Sequence, residues 1–418
     1  MTYTFKQVLG RILGIKTEFT SKVEKFIAHD DIKLSYGKSK MGNELFIKAA
    51  GLLNNQGVTE ADISVNKWGD VPCFYYVGEE SDIPYDIFSA SFFMLSRYEE
   101  YLPHVKDEKG RFPAEESIAS KEKFLRKPVV DLWAYKFKEV LQKRFPKATF
   151  KERSFKVKNI LAVAEAYKYR KKGLTRNLGG AVGDLFKFRI KRVFERLQTQ
   201  LFLAKDPYDV YDELLKFSKQ NKISWEFMFQ LSDYSLHNKN IGYNRLKYHS
   251  LIKSMGDYGK IGLLLGYEAL FDIDELKKEK KRWENIVNRD LEIAMSNNDG
   301  LNLPELYNNY DLLEIGHDYS MGYVQKIGFR AGTCTPFLYY DLNLERISPL
   351  VLHPVACNSV SFRYSSYFEV KTIMERLRKD VKGVEGHLIM RYKNSNFAYS
   401  AGQEKFFQLL EKMNTTHD

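Results

Sequence analysis

Glu165, His317, Asp318 and His353 are residue types that hold a divalent cation. Two imidazoles and a carboxylate converging on one point make a three-ligand site with a fourth position open to water or substrate. These four come from three separate segments, with His317 and Asp318 adjacent, so only a fold that gathers several segment ends could assemble them; His353 reads equally as a hydrogen-bonded core histidine. Asp272 and Asp274 in FDIDELKKEKKRWEN resemble a metal motif. They stand directly ahead of a strongly helical charged run, however, where an aspartate accepts backbone N–H groups as a helix cap. Other chemistries lack their motifs. There is no G-x-S-x-G elbow, no P-loop and no dinucleotide fingerprint, and LGGAVG at Leu178–Gly183 has the wrong glycine spacing. Cys73, Cys334 and Cys357 lie far apart, form no CxxC pair and read as buried free thiols.

The elements around these residues divide the chain in two. Up to about Phe150, short strand-like runs alternate with helices. ISVNKW (Ile63–Trp68) and CFYYVG (Cys73–Gly78) flank the turn signal GDVP and predict a hairpin. Asp82–Tyr101 predicts a helix, with Pro84 and Asp86 in its first turn and Ile87, Phe88, Phe92, Leu95 and Tyr98 at helical spacing. A loop with Gly110 and Pro113 leads to a second helix in VVDLWAYKFKEVLQKRF. The charged stretch Pro146–Asn159 breaks this pattern and marks the expected boundary, giving domains 1–150 and 151–418. Beyond it, apolar runs of strand length alternate with helix-length periodic segments, the rhythm of a βα-repeat fold with a mainly parallel sheet.

With 418 residues, 44% hydrophobic and 14% aromatic, the chain has material for two cores. No apolar run approaches the roughly 18 residues needed to span a bilayer. MTYTFKQVLGRILGIK lacks a secretory signal pattern, so a cytoplasmic location is expected. A net charge of +11 favours anionic partners: an acidic glycan or nucleotide-sugar, or the inner membrane surface. Nucleic acid is not expected, since zinc-finger spacing, RNA-recognition motifs and basic repeats with interleaved aromatics are missing. Asp184–Phe202 (DLFKFRIKRVFERLQTQLF) carries an apolar stripe opposite Lys187, Arg189, Lys191, Arg192 and Arg196. It predicts either one amphipathic helix packed on the core with a solvated basic face or a helix on a membrane surface, peripheral to the inner membrane.

The second half reads, in order, ILAVAEAYKYRKKG (Ile160–Gly173), WEFMFQLSDY (Trp225–Tyr234), DYGKIGLLLGYEA (Asp257–Ala269), LPELYNNY (Leu303–Tyr310), DYSMGYVQKIGFRAGTCTPFLYYDL (Asp318–Leu342) and LHP (Leu352–Pro354). This run resembles polysaccharide deacetylases of the kind found in Bacteroidetes surface-glycan loci. Gly78–Pro113 and Lys127–Phe137 resemble the domain of unknown function that precedes the deacetylase part in such proteins. The resemblance implies an α/β protein, a distorted (β/α) barrel preceded by a smaller α+β domain, with the site at the strand C-terminal ends.

Family enzymes remove the acetyl group from an N-acetylated sugar. A divalent metal such as zinc, held by one Asp and two His, activates water; a second Asp acts as base and a late His as acid. Their T-[VIF]-D-x-D-x-A-Y motif, anchored here on Ala166 and Tyr167, puts Ala162 and Ala164 at the two carboxylate positions. G-[IV]-H-x-x-Y puts Leu264 at the histidine, and L-x-x-W-H-N puts Lys393 at the late histidine. The resemblance thus implies a family fold with its catalytic set replaced, no cofactor, and surviving pocket residues Glu165, Tyr167, Tyr267, Asp318, Tyr319, Arg330 and His353. Asp318 and Tyr319 are expected to fix a loop. Trp225, Trp283 and Tyr267 would either stack on a sugar or fill the core. Arg330 and Lys393 would make the pocket accept anions, unless Arg330 pairs with Asp318 or Glu165. Three functions follow: an inactive deacetylase-like glycan-binding protein, an active deacetylase with relocated ligands such as Glu165 or His353, or a peripheral membrane or protein-binding scaffold.

Overall fold

The computed structural model describes residues 1–108, 110–297, 300–362 and 366–415. It is a mixed α/β structure that divides into two compact units. The first comprises Met1–Lys156, Met321–Cys357 and Glu375–Leu388; the second comprises Val157–Ser320, Asn358–Met374 and Ile389–Asp418. The change at Lys156 falls inside the charged Pro146–Asn159 stretch. A division at one point of the sequence does not capture the two later segments that join the first unit.

In the first unit, Asn66–Trp68 and Val71–Cys73 pair antiparallel across Gly69 and Asp70, a shorter hairpin than the sequence suggests. Gly69 has φ +64°, which glycine adopts without steric cost. Helix Ile87–Leu95 is buried on every side. Its cap is Asp86, whose Oδ1 accepts from the N–H groups of Phe88 at 3.1 Å and Ser89 at 2.9 Å. The helix stops well before Tyr101 because Arg97 turns left-handed at φ +54°. The second helix, Val129–Arg144, holds the Met321–Cys357 segment through Asp131. That carboxylate accepts from Thr333 Oγ1 at 2.7 Å, from the Cys334 N–H at 2.9 Å and from Thr335 Oγ1.

In the second unit the strands follow the order His317–Asp318, Ile293–Met295, Gly259–Leu264, Trp225–Gln230, Lys156–Val163, His387–Lys393. The first five pair in parallel. WEFMFQ is buried throughout, as a central parallel strand covered on both faces requires. The sheet is tightly curled. Lys158 Nζ donates to Tyr319 Oη at 3.1 Å and to Glu226 Oε1 at 3.3 Å, although Lys158 and Tyr319 lie four strands apart. On a flat sheet four strand spacings are about 19 Å, beyond the reach of the two side chains. Lys158 therefore points into the concave face.

Trp225 and Trp283 belong to the core. Asp272 caps helix Ile273–Val287, accepting from the Asp274 N–H at 2.8 Å, as its context predicts. The three cysteines are free and buried. Asp184–Phe202 is not one helix packed on the core. Phe188, at φ +52°, separates Leu174–Phe186 from Ile190–Gln200, and the apolar stripe faces outward, with Phe186 82% and Phe188 89% exposed. Among the described residues no helix is long and apolar enough to cross a membrane.

Candidate functional site

Alternate residues of a strand share a face, so Ala162 lies on the concave face with Lys158. In register, Ala162 is level with Met228, while Gln230, two residues on, is level with Leu264, itself level with Met295. Ala162, Met228, Gln230, Leu264 and Met295 thus line one face near the strand C-terminal ends, all of them buried. Ala164 follows the end of its strand directly, and Lys393 is the last residue of its own. These four positions lie at or directly after the ends of three strands of one sheet. Their side chains are methyl, methyl, isobutyl and alkylammonium, and none can ligate a cation. Met228 packs across Gly262 so closely that a Cβ there would stand 2.6 Å from its sulfur and 2.8 Å from the Ile293 carbonyl. Apart from the Gln230 amide, hydrocarbon and sulfur fill this part of the face.

The strand ends are tied together by amides. Asn240 Oδ1 accepts from the Ala166 and Ile241 N–H groups at 2.9 and 2.8 Å; its Nδ2 donates to the Gln230 carbonyl at 2.9 Å and to Tyr248 Oη at 2.8 Å. Asn394 Nδ2 donates to the Glu165 carbonyl at 2.8 Å, and Gln230 Nε2 to Asn238 Oδ1 at 3.1 Å.

The other predicted residues take separate places. Glu165 forms a salt bridge with Lys172. Tyr167 is half-buried, its phenol pushed up to about 12 by burial and by Asp209 and Asp206. Tyr267 stacks on His237 with centroids 4.0 Å apart and stays partly exposed. Asp318 is fully buried, accepting from Tyr307 Oη at 2.8 Å and from the Ser320 N–H at 2.8 Å and Oγ at 2.5 Å, which is a loop-fixing role. Tyr319 receives the Lys158 ammonium, and burial with the Glu226 carboxylate raises its phenol far above the ordinary value. His317 is half-buried, and burial and Lys260 hold its imidazole below the usual value.

Arg330 and His353 belong to the first unit, where His353 follows strand Arg346–Leu352. Arg330 pairs with neither Asp318 nor Glu165. Its Nε and Nη2 donate to the two oxygens of Glu100 at 2.8 and 2.6 Å. Arg97 Nε reaches the same carboxylate at 2.7 Å. Burial alone would raise the Glu100 pKa; the Arg330 and Arg97 charges outweigh it and hold the group at about 2. Arg330 is thus neutralised in place.

Among the described residues no three His, Cys, Asp or Glu side chains are grouped to hold a metal ion. The divalent ion of the deacetylase family does not fit the donors at these strand ends. A groove of about 470 Å³ runs between helices Tyr211–Gln220 and Ser400–Asn414, lined by Phe217, Phe407 and charged side chains, and contains none of the predicted residues.

Sequence reading misses Glu279. It lies on helix Ile273–Val287 with Leu276, Trp283 and Ile286, all buried, and its carboxylate accepts from the Gly266 N–H at 3.0 and 3.2 Å. Burial raises its pKa to about 8 against the opposing effect of that N–H. The signal was a carboxylate inside an apolar stripe of spacing three and four.

A model of a family of unknown function (DUF7033) matches residues 1–146. No curated protein matches the chain. Among solved structures, it is similar to a protein assigned as a polysaccharide deacetylase from Mycobacterium smegmatis, at 11% identity and a TM-score of 0.41, covering 65% of this chain and 88% of that one. It is also similar to the polysaccharide deacetylase Bc1974 from Bacillus cereus, at 12% identity and a TM-score of 0.31, over 62% of this chain and 88% of that one. Both scores lie below 0.5.

Proposed function

We propose that this protein is a deacetylase-like member of surface-glycan metabolism that binds its ligand without hydrolysing it. The observation that carries the reading is the chemistry of Ala162, Ala164 and Leu264. The family hydrolysis needs a carboxylate base, a carboxylate ligand and an imidazole there, and hydrocarbon side chains neither bind a cation nor move a proton. The curled parallel sheet agrees with a distorted barrel, and the amide-tied loops keep its strand ends in order without an ion. Relocated ligands are not favoured: Glu165 is paired with Lys172, Asp318 is spent on Tyr307 and Ser320, and no three-ligand group forms among the described residues.

The net charge keeps an acidic glycan or nucleotide-sugar as the proposed ligand class. Lys393 would face it, and Arg330, held by Glu100, would not. The test is acetate release from N-acetylated oligosaccharides by purified protein supplied with zinc, cobalt or nickel. No acetate above the metal-only control is expected. Sustained release with turnover would overturn the reading.

A further inference from the structure

Residues 174–203 form a helical hairpin whose polarity is reversed relative to a helix packed on a core. The side turned toward the rest of the second unit is polar. Asn177 Nδ2 donates to the Tyr169 carbonyl at 3.0 Å, and Gln200 Nε2 to the same oxygen at 2.8 Å. Glu195 takes Lys168 Nζ, Tyr169 Oη and Tyr399 Oη at 2.7, 2.7 and 2.9 Å. Arg196 links the two helices through Asp184 at 2.8 Å and Asn177 at 3.2 Å. The outward side is apolar, with Phe186, Phe188, Ile190, Phe194, Phe202 and Leu203 each at least 60% exposed. So many large apolar side chains on one short surface exceed what a monomer leaves in water without a partner.

The charge at the tip identifies that partner. Lys187, Arg189, Lys191 and Arg192 are exposed around Phe188. The only acidic residues of the hairpin, Asp184 and Glu195, are both turned inward and paired. Aromatic and aliphatic groups interleaved with unopposed cations match the boundary between acyl chains and anionic headgroups. The helices, 13 and 11 residues long, extend only about 20 Å and 17 Å, too short to cross the hydrocarbon layer.

We infer that this hairpin seats the protein on an anionic lipid bilayer, lying in the interface with Phe186 and Phe188 buried among the lipids. Because the hairpin follows the loop after strand Lys156–Val163 and is bonded to Lys168 and Tyr169, seating brings that end of the sheet to the lipid surface.

Co-sedimentation of the full-length protein with vesicles tests this, comparing neutral phosphatidylcholine with vesicles containing about a third phosphatidylserine or phosphatidylglycerol. Binding to the anionic vesicles and little to the neutral ones is expected, weakening as salt rises. Partition should fall roughly tenfold or more both for Phe186→Ser with Phe188→Ser and for charge reversal of Lys187, Arg189, Lys191 and Arg192. Unchanged thermal unfolding of both variants would show that the fold survives. Equal binding to neutral and anionic vesicles, no binding to either, or a stable dimer in solution that the phenylalanine variant breaks would overturn the proposal.

Discussion

Glu279 is a carboxyl group kept in an apolar stripe, and it makes a prediction at the scale of a single residue. The folded protein binds its proton more tightly than the unfolded chain, because burial raises the pKa to about 8. This group's contribution is therefore most favourable below the unfolded value near 4.5 and is lost as pH rises from there through about 8. Glu279→Gln should flatten that part of the stability curve. It should also stabilise the protein above pH 8, by on the order of 5 kcal/mol at ~1.4 kcal/mol per tenfold change in proton affinity. Denaturant unfolding at a series of pH values reads this directly, and an unchanged slope in the variant would show that another group titrates. Residue types were legible where the signal was simple: Asp272 as a cap follows from the charged helical run after it, and the cysteines as buried free thiols from their wide separation. The partner of Arg330 was not. Glu100 is 230 positions away, and nothing near GFRAG indicates which distant carboxylate would meet it.

At the scale of elements, the same ion pair ties the turn Tyr98–Glu100 to the Met321–Cys357 segment within the first unit. Breaking one partner of a buried pair leaves the other charge uncompensated, so Glu100→Gln should destabilise by about 3–5 kcal/mol. The depressed pKa means that the stability contributed by Glu100 is present above the ordinary carboxylate range and disappears as pH falls through about 2. Equilibrium unfolding of the variant near neutral pH checks the first statement, and acid titration of the wild type the second. A loss below 1 kcal/mol would mean that the two arginines find other acceptors. Element type was well marked in the sequence, but element ends and outward faces were not. Helix Ile87–Leu95 stops early because Arg97 adopts a left-handed backbone, which no residue type there announces. The amphipathic pattern of Asp184–Phe202 showed two faces correctly, but periodicity alone does not say which face turns inward. Here the polar one does, through Asn177, Glu195, Arg196 and Gln200.

For the whole molecule, the alternation of strands and helices after Asn159 announced a parallel sheet, because covered parallel strands must be apolar along their length. The contribution of Met321–Cys357 and Glu375–Leu388 to the first unit was not visible, since it depends on contacts such as Asp131 with Thr333 and Cys334 that join distant parts of the chain. On the proposed function, the strand ends carrying Ala162, Ala164 and Leu264 hold no metal to activate water. Elemental analysis of the purified, mildly dialysed protein after exposure to zinc, cobalt and nickel tests it most directly. Far less than one metal per chain is predicted. One tightly held ion per chain, lost on mutation of Glu165 or His353, would contradict the account and make the protein a deacetylase with relocated ligands.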